Sequence, residues 1–463
     1  MKLYIDTLGC PKNSVDSENA AGLAEAAGHV IVEDPREAEV LLVNTCGFIN
    51  DAKEESIDHI LALAHYREQG KILAVSGCLS QRYGAELQKA MPEIDLLLGV
   101  NDYCRLPELL GRLEEEQRRR GSGTPCPTGE KAPGFPLVCL SPAPAGYEET
   151  GARKVLGPSY TAYLRIAEGC DNVCAYCVIP QIRGPYRSRG REDILREAEA
   201  LAAGGCRELV VVAQDVTAYG MDRKDGYGLP ELLTELCAVE GIRWIRLMYC
   251  YEDRITDKLI ETMAREPKIC HYIDIPIQHV SDRLLSAMNR RSTGASIRDT
   301  VARLRKAMPD VCIRTTLIVG LPGETPEEFA ELEEFVETVK FQRLGVFAYS
   351  KEEGTTAAAM KGQLRRQTKE RRRERIMALQ QRISLENNLS LVGKTLEVLV
   401  EGREEEGTWV GRSVYDAPEI DNGVIFTSEE ELAPGDLVQV LITDAYDYDL
   451  AGRRACDKEE TIR

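Results

Sequence analysis

Short apolar runs recur through the first hundred residues: LYIDT at the start, then EVLLVNTC, KILAVSGC and IDLLLG, separated by stretches with helical spacing. Runs of that length, rich in Leu and β-branched residues and alternating with helices, predict a small parallel α/β sheet. Three of them end at a cysteine. Cys10 follows LYIDTLG, Cys46 follows VLLVNT and Cys78 follows ILAVSG. Each is expected just past the carboxyl end of a parallel strand, on the sheet edge where open α/β sheets bind ligands.

From Gly121 to Ser159 the chain turns rich in Pro, Gly and Ala with no sustained apolar period, which reads as a linker or irregular excursion at a domain boundary. Six candidate strands follow: TAYLRIAEG, ELVVVAQD, RWIRLMYC, HYIDIPIQ, CIRTTLIVG and RLGVFAYS. Helical patterns such as DILREAEALAAGG and LPELLTELCAVEG separate them, predicting a partial (β/α)6 parallel barrel. Thr325, Pro326 and Glu328 have the pattern of a capping box at the start of its last helix. Residues 361 to 382 carry nine Lys or Arg against Glu370 and Glu374 and read as a solvated helix between domains. Beyond Leu391 the runs TLEVLV, TWVGRSV, GVIFTS and DLVQVLITDAY, broken by Gly, Pro and Asn turns, predict a small antiparallel β-barrel. The expected architecture is an α/β multidomain chain. Its divisions are a sheet domain over 1–115, a linker over 116–155, the partial barrel over 156–388 and the small barrel over 389–459.

Composition narrows the function. At 463 residues and 43% hydrophobic the chain is long enough for several cores. The start MKLYIDTLGC lacks a basic region followed by a long apolar run, and no stretch approaches the roughly 18 apolar residues of a membrane span, so a cytoplasmic protein is expected. Fifteen cysteines in such a chain point to metal ligation rather than disulfides, because that compartment keeps thiols reduced. The formal charge of -18 disfavours broad attraction to a phosphate backbone and suits a basic macromolecular partner.

The sharpest chemistry lies at Cys170, Cys174 and Cys177, in a loop directly after the first barrel strand, where such folds build active sites. With fifteen cysteines the spacing alone is not decisive, and its position carries the argument. Three thiolates from one loop can hold three irons of a 4Fe-4S cube and leave the fourth open to a substrate. Zinc would require a fourth ligand, and no His or further Cys lies within several residues. Cys104, Cys126, Cys139, Cys206, Cys237, Cys250, Cys270, Cys312 and Cys456 have no cluster spacing among themselves and read as structural or incidental. A non-enzymatic iron-sulfur carrier is the alternative, but it has no need of a large barrel around an open iron.

The stretch AEGCDNVCAYCVIPQIRGPYRSR resembles the signature of the methylthiotransferases, a subgroup of radical S-adenosylmethionine (SAM) enzymes. The resemblance continues through YIDTLGCPKNSVDSE, NTCGFI, SGCL, GLPGET and a C-terminal barrel similar to the TRAM domain. It implies that Cys170, Cys174 and Cys177 bind the 4Fe-4S cluster that cleaves SAM, and that Cys10, Cys46 and Cys78 bind an auxiliary 4Fe-4S cluster. It also implies that the auxiliary cluster carries sulfur, which a second SAM methylates, and that an external reductant such as flavodoxin or ferredoxin and a sulfur donor serve the enzyme. Gln214 and Asp215 at the end of the second barrel strand, Gln278 and His279 after the fourth and Arg314 at the start of the fifth are candidate SAM or substrate contacts, or structural residues. The segment Gly320 to Thr325 is either a backbone approach to SAM or a strand-to-helix turn. No catalytic side chain beyond the cluster ligands is singled out.

Methylthiotransferases divide into those that modify an adenosine of transfer RNA and those that modify an aspartate of small-subunit ribosomal protein S-twelve. From Val392 onward there are seven Lys or Arg against eighteen Asp or Glu, an acidic surface that suits a basic protein and repels phosphates. The segment GRSVYDAPEIDNGVIF also resembles the ribosomal-protein branch. Methylthiolation at the β-carbon of that aspartate is therefore expected, with the transfer-RNA reaction as the alternative and the basic 361–382 helix as the feature that favours it.

Overall fold

The computed structural model describes residues 1–121, 136–151 and 153–455. Six parallel strands, β1 (Lys2–Thr7), β2 (Val30–Ile31), β3 (Val40–Thr45), β4 (Ile72–Gly77), β5 (Leu96–Leu98) and β6 (Leu137–Cys139), form the first sheet in the order β2-β1-β3-β4-β5-β6. Strands β3 and β4 are buried from end to end, which is why VLLVNT and ILAVSG run apolar without alternation. Leu42, Ala74 and Leu98 pack against helices Pro11–Ala26 and Leu106–Gly121 on one face, and Leu41, Val43 and Val75 against Asn50–Ala64 and Cys78–Ala90 on the other. Strand β6 comes from the stretch expected to be irregular, and three residues are too few to display a period in the sequence. Cys126 and Cys456 lie outside the described residues.

The second sheet contains β7 (Thr161–Arg165), β10 (Glu208–Val212), β11 (Trp244–Leu247), β12 (Ile269–Asp274), β13 (Cys312–Val319) and β14 (Arg343–Ala348), all parallel, in the order β14-β13-β12-β11-β10-β7. A two-stranded ribbon of β8 (Ala167–Glu168) and β9 (Arg187–Ser188) follows β7. The edge strands β7 and β14 do not pair with each other, so the barrel is open. Leu164, Leu209, Ile245, Ile273 and Ile313 face the surrounding helices, and Thr325 and Glu328 make the capping box expected of them. The opposite, concave face carries Val210, Val212, Trp244, Tyr272 and Cys312, which pack with Leu399 and Ala417 of the C-terminal unit.

That unit is a closed barrel of β15 (Thr395–Glu405), β16 (Thr408–Ser413), β17 (Val424–Thr427), β18 (Leu437–Ala445) and β19 (Leu450–Arg454), in the order β15-β16-β17-β19-β18. Its pairs are antiparallel except β17 with β19, the parallel pair through which the chain closes on itself. Buried charges seat it on the central sheet. Glu208 accepts from Arg246 at 2.7 Å and from Arg412 at 2.7 Å, Arg343 donates to Asp416, and Tyr272 donates to Asp421 at 2.6 Å. The YDAPEID stretch thus lies largely at the seam between two units.

The basic helix spans Arg366–Leu389 and is not simply solvated: Arg372, Ile376, Gln380, Ile383 and Asn388 are buried against the barrel. Polar residues within that stripe hide its amphipathic period in the sequence. Arg372 pairs with Glu324 at 3.0 Å, Arg375 with Glu333 at 2.6 Å and Arg382 with Glu337 at 2.6 Å, so part of the basic run is neutralised by the neighbouring helix. Among the described residues no helix is long and apolar enough to cross a membrane.

Candidate active site

The first sheet reverses its strand order between β1 and β3, and an open α/β sheet forms its ligand crevice at the carboxyl ends flanking such a switch point. Cys10 and Cys46 stand just past those two ends, and Cys78 opens the helix after β4. Two glycines allow the three loops to close up. Gly9 has φ +94, and a Cβ there would sit 2.8 Å from Cβ of Cys46; Gly77 has φ +96, and a Cβ there would sit 2.4 Å from Oδ1 of Asn44. Asn13 ties the loops together, donating to the carbonyls of Leu8 at 2.9 Å and Thr45 at 3.1 Å. The Ser56 hydroxyl accepts from the Cys46 N–H at 3.1 Å.

Cys170, Cys174 and Cys177 lie in the loop after β8. The Cys170 N–H donates to Gly184 O at 3.0 Å, Ala175 N–H to Met288 O at 2.9 Å, and Cys177 N–H to Cys174 O at 3.0 Å. Asn172 donates to Asp215 at 2.9 Å, and Asp215 is held in turn by Arg254 and by Thr217. The Cys174 sulfur lies 3.1 Å from the Tyr251 hydroxyl, and the Arg290 guanidinium stacks on the Tyr251 ring at 4.2 Å.

The two triads adjoin. Val178 and Ile182, directly after Cys177, pack on Cys78. Arg183 completes the seam: it lies 3.5 Å from the Cys78 sulfur and donates to Asn13 at 2.9 Å, to Asp16 at 2.8 Å and to Glu168 at 3.0 Å. Arg165 joins the same buried network, pairing with Asp16 and with Glu168 at 3.1 Å. Lys12, two residues after Cys10, places its ammonium 3.4 Å over the Tyr249 ring.

The donors fit iron-sulfur clusters. Burial pushes the thiols up, Cys170 to about 11 and Cys46 and Cys177 to about 12, with Cys78 also raised although Arg183 opposes the shift. Such thiols stay protonated near neutrality until a metal displaces the proton. Among the described residues no three His, Cys, Asp or Glu side chains converge tightly enough for a single ion. Ligands to three corners of a cube stand further apart than ligands to one ion, and the cations Arg183 and Arg290 offset the negative charge that a thiolate cluster carries.

The five other candidates divide. Gln214 donates to Glu168 at 2.6 Å, and among the described residues its buried Oε1 has no hydrogen-bond partner; Oε1 of Gln278, a residue at φ +69, is in the same state. Asp215 is consumed in holding the cysteine loop. His279 is fully buried, its Nδ1 accepting from Ser281 N–H at 3.0 Å and its Nε2 4.0 Å from Glu324, and burial lowers its pKa to about 4. Arg314 pairs with Asp274 at 2.9 Å and Asp421 at 3.4 Å. In the Gly320–Thr325 segment, Glu324 accepts from the N–H groups of Gly320 and Leu321, closing a strand-to-helix turn. The sequence reading missed Lys12, Asp16, Glu168, Arg183, Tyr249, Tyr251 and Arg290. Lys12 and Asp16 sit in CPKNSVD and Arg183 in IPQIRGPY, inside the quoted motifs, but nothing in a one-dimensional pattern tells which charged residues become buried.

Comparison with known proteins follows the same three parts. Residues 2–99 match the model of Uncharacterized protein family UPF0004, 164–336 the Radical SAM superfamily and 392–454 the TRAM domain. A protein of Pelotomaculum thermopropionicum called ribosomal protein uS12 methylthiotransferase RimO is 49% identical over 98% of this chain and 99% of its own length. One of the same name from Desulfitobacterium hafniense is 46% identical over 97% of this chain and 98% of its own. The chain belongs to the ribosomal protein uS12 methylthiotransferase family. As a radical SAM methylthiotransferase it is an enzyme transferring a sulfur-containing group, with SAM and 4Fe-4S clusters as cofactors. Among solved structures, the radical SAM methyltransferase TsrM of Kitasatospora setae shares the fold, with TM-score 0.55 and 13% identity over 88% of this chain and 76% of its own.

Proposed function

We propose that this enzyme inserts a methylthio group at the β-carbon of an aspartate of ribosomal protein uS12. The observation that carries the reading is near-full-length identity of 46 to 49% to proteins of that name, spanning both cysteine triads. In this reading Cys170, Cys174 and Cys177 hold the cluster that serves SAM, and Cys10, Cys46 and Cys78 hold the auxiliary one. When bound, these groups supply a 5′-deoxyadenosyl radical, which removes a hydrogen atom from the target carbon, and the sulfur and methyl that replace it. The protein's part is to keep that radical beside one C–H bond and away from water. Val178, Ile182 and Arg183 set the distance between the triads. Gln214 and Gln278 have buried carbonyl oxygens to offer SAM, Asp215 and His279 position their loops, and Arg314 braces the barrel against the C-terminal unit through Asp274 and Asp421.

We divide the enzyme into three units, 1–115, 156–388 and 389–459, with 116–155 running between the first two and lending β6 to the first sheet. Exposed acids at Glu404, Glu405 and Glu406 suit a basic ribosomal protein. We assign it to the cytoplasm, with a low-potential donor such as flavodoxin or ferredoxin and a separate sulfur donor. Reconstituted enzyme given SAM, reductant and equal amounts of uS12 and transfer RNA should add the methylthio group to uS12. Product on transfer RNA alone would select the other branch.

A further inference from the structure

Between residues 361 and 373 seven Lys or Arg stand against the single acid Glu370, in a chain whose net charge is -18. The structure divides them. Arg372 is buried onto Glu324, Arg373 pairs with Glu370 at 2.9 Å, and Lys369 donates to the Tyr349 carbonyl at 2.8 Å. Lys361, Arg365, Arg366 and Arg371 are exposed, and among the described residues none of the four side chains has a hydrogen bond or ion pair. Further along the same helix the cations are matched by acids, Arg375 by Glu333 and Arg382 by Glu337. A face kept only for solubility is mixed in sign, as that downstream half is. Nor do the four cations steady the helix. Arg365 and Arg366 sit at its N-terminal end, where the first turn holds no acid and the helix dipole disfavours positive charge.

The patch adjoins the candidate active site. The segment that leads into it touches both cysteine loops: Glu352 accepts from Arg82 at 3.0 Å, and Arg82 also donates to the carbonyl of Gly47, beside Cys46, at 2.9 Å. The Ala357 N–H donates to the carbonyl of Ala175, between Cys174 and Cys177, at 2.7 Å, and Met360 packs in the same cluster as Ala175. Lys361 is the next residue. Cations so placed repel a basic ribosomal protein, and the anion that accompanies such a protein is the RNA that holds it in the subunit. Resting on the uS12 reading, we infer that Lys361, Arg365, Arg366 and Arg371 bind the phosphate backbone of small-subunit ribosomal RNA, so that the enzyme prefers uS12 in an RNA-bound particle to free uS12. Three of the four are arginine, whose fork matches two phosphate oxygens at once. The acidic C-terminal barrel and this patch then face different components, protein and RNA.

Small subunits from cells lacking the enzyme, free uS12 and transfer RNA are offered separately to the reconstituted holoenzyme with SAM and a chemical reductant, and both binding and methylthio product are measured. Iron content and 5′-deoxyadenosine formation are recorded for every variant. The wild type should bind subunits at least about tenfold more tightly than free uS12 or transfer RNA, with an affinity that falls steeply with salt. Changing all four residues, Lys361→Gln, Arg365→Gln, Arg366→Gln and Arg371→Gln, should remove that preference and make the slope of log affinity against log salt shallower by about three. Product from free uS12 should stay within about twofold. An unchanged affinity for subunits in the fourfold variant overturns the inference, as does an equal loss on free uS12. Transfer RNA bound as tightly as subunits overturns the assignment to ribosomal RNA. A defect seen only when flavodoxin replaces the chemical reductant also overturns it, and would give the patch to an acidic protein donor. If the fourfold variant does not load iron, the wild-type salt slope decides, and a slope near zero is fatal. Methylthio product on transfer RNA and on no form of uS12 fails the substrate reading, a separate result, because binding to subunits is scored without product.

Discussion

The two cysteine triads are built in opposite ways. Cys170, Cys174 and Cys177 come from one loop, anchored at a few points by Gly184, Met288 and the Asn172–Asp215–Arg254 chain. Cys10, Cys46 and Cys78 come from three strand ends and are brought together only when β1, β3 and β4 pair in register. A local triad needs its loop; a distributed one needs its whole sheet. The difference teaches where each site is vulnerable, and it can be probed by damage aimed at one side or the other.

The largest effects should come from the proposed cluster ligands. Cys174→Ala should abolish formation of 5′-deoxyadenosine, whereas Cys46→Ala should retain it and lose only methylthio product. Each should lower iron from about eight to about four per chain. Product formed by Cys46→Ala would dissolve the distinction.

Next come the seams that neither triad owns. Glu208 is pushed up by burial but pulled further down by Arg412 and Arg246, to about 2. Its folded-state pKa is below the ordinary 4.5, so its contribution to stability is present above about pH 4.5 and is lost as pH falls toward 2. Glu208→Gln should cost about 3–5 kcal/mol in denaturant unfolding near neutrality and flatten that acid limb, with both triads still loading iron. Loss of iron from either triad would show that the C-terminal seat supports the site directly.

Gly77→Ala should cost about 1–3 kcal/mol through its left-handed backbone and the clash with Asn44, and it should empty the auxiliary triad while SAM cleavage continues. The smallest effect is expected of Ser56→Ala, which removes the hydroxyl that accepts from the Cys46 N–H and lies 3.1 Å from the Cys46 carbonyl, at a cost of about 1 kcal/mol. It should weaken auxiliary iron binding without changing SAM cleavage. Equal damage to both activities from either variant would mean the triads share one support.

The same contrast governs what the sequence reveals. The local triad is visible as a spacing. The distributed triad is visible only because each cysteine terminates an apolar run, and parallel strands put such ends on one edge. Strand β6 escapes because it has three residues, and the buried stripe of the Arg366–Leu389 helix escapes because Arg372, Gln380 and Asn388 belong to it. The network of Asp16, Arg165, Arg183 and Glu168 joins residues up to 167 positions apart, and no periodicity records it. Nor does the acidic composition of the C-terminal barrel disclose that Asp416 and Asp421 face inward, onto Arg343 and Tyr272.

The most direct measurement is the mass of uS12 from cells that carry this enzyme and from cells that lack it, with fragmentation to locate any difference. The expected result is one methylthio group replacing a hydrogen on a single aspartate, present only with the enzyme and restored by the wild-type chain but not by Cys46→Ala. An identical uS12 mass in both cells, with methylthioadenosine missing from transfer RNA of the deletion strain, would contradict it.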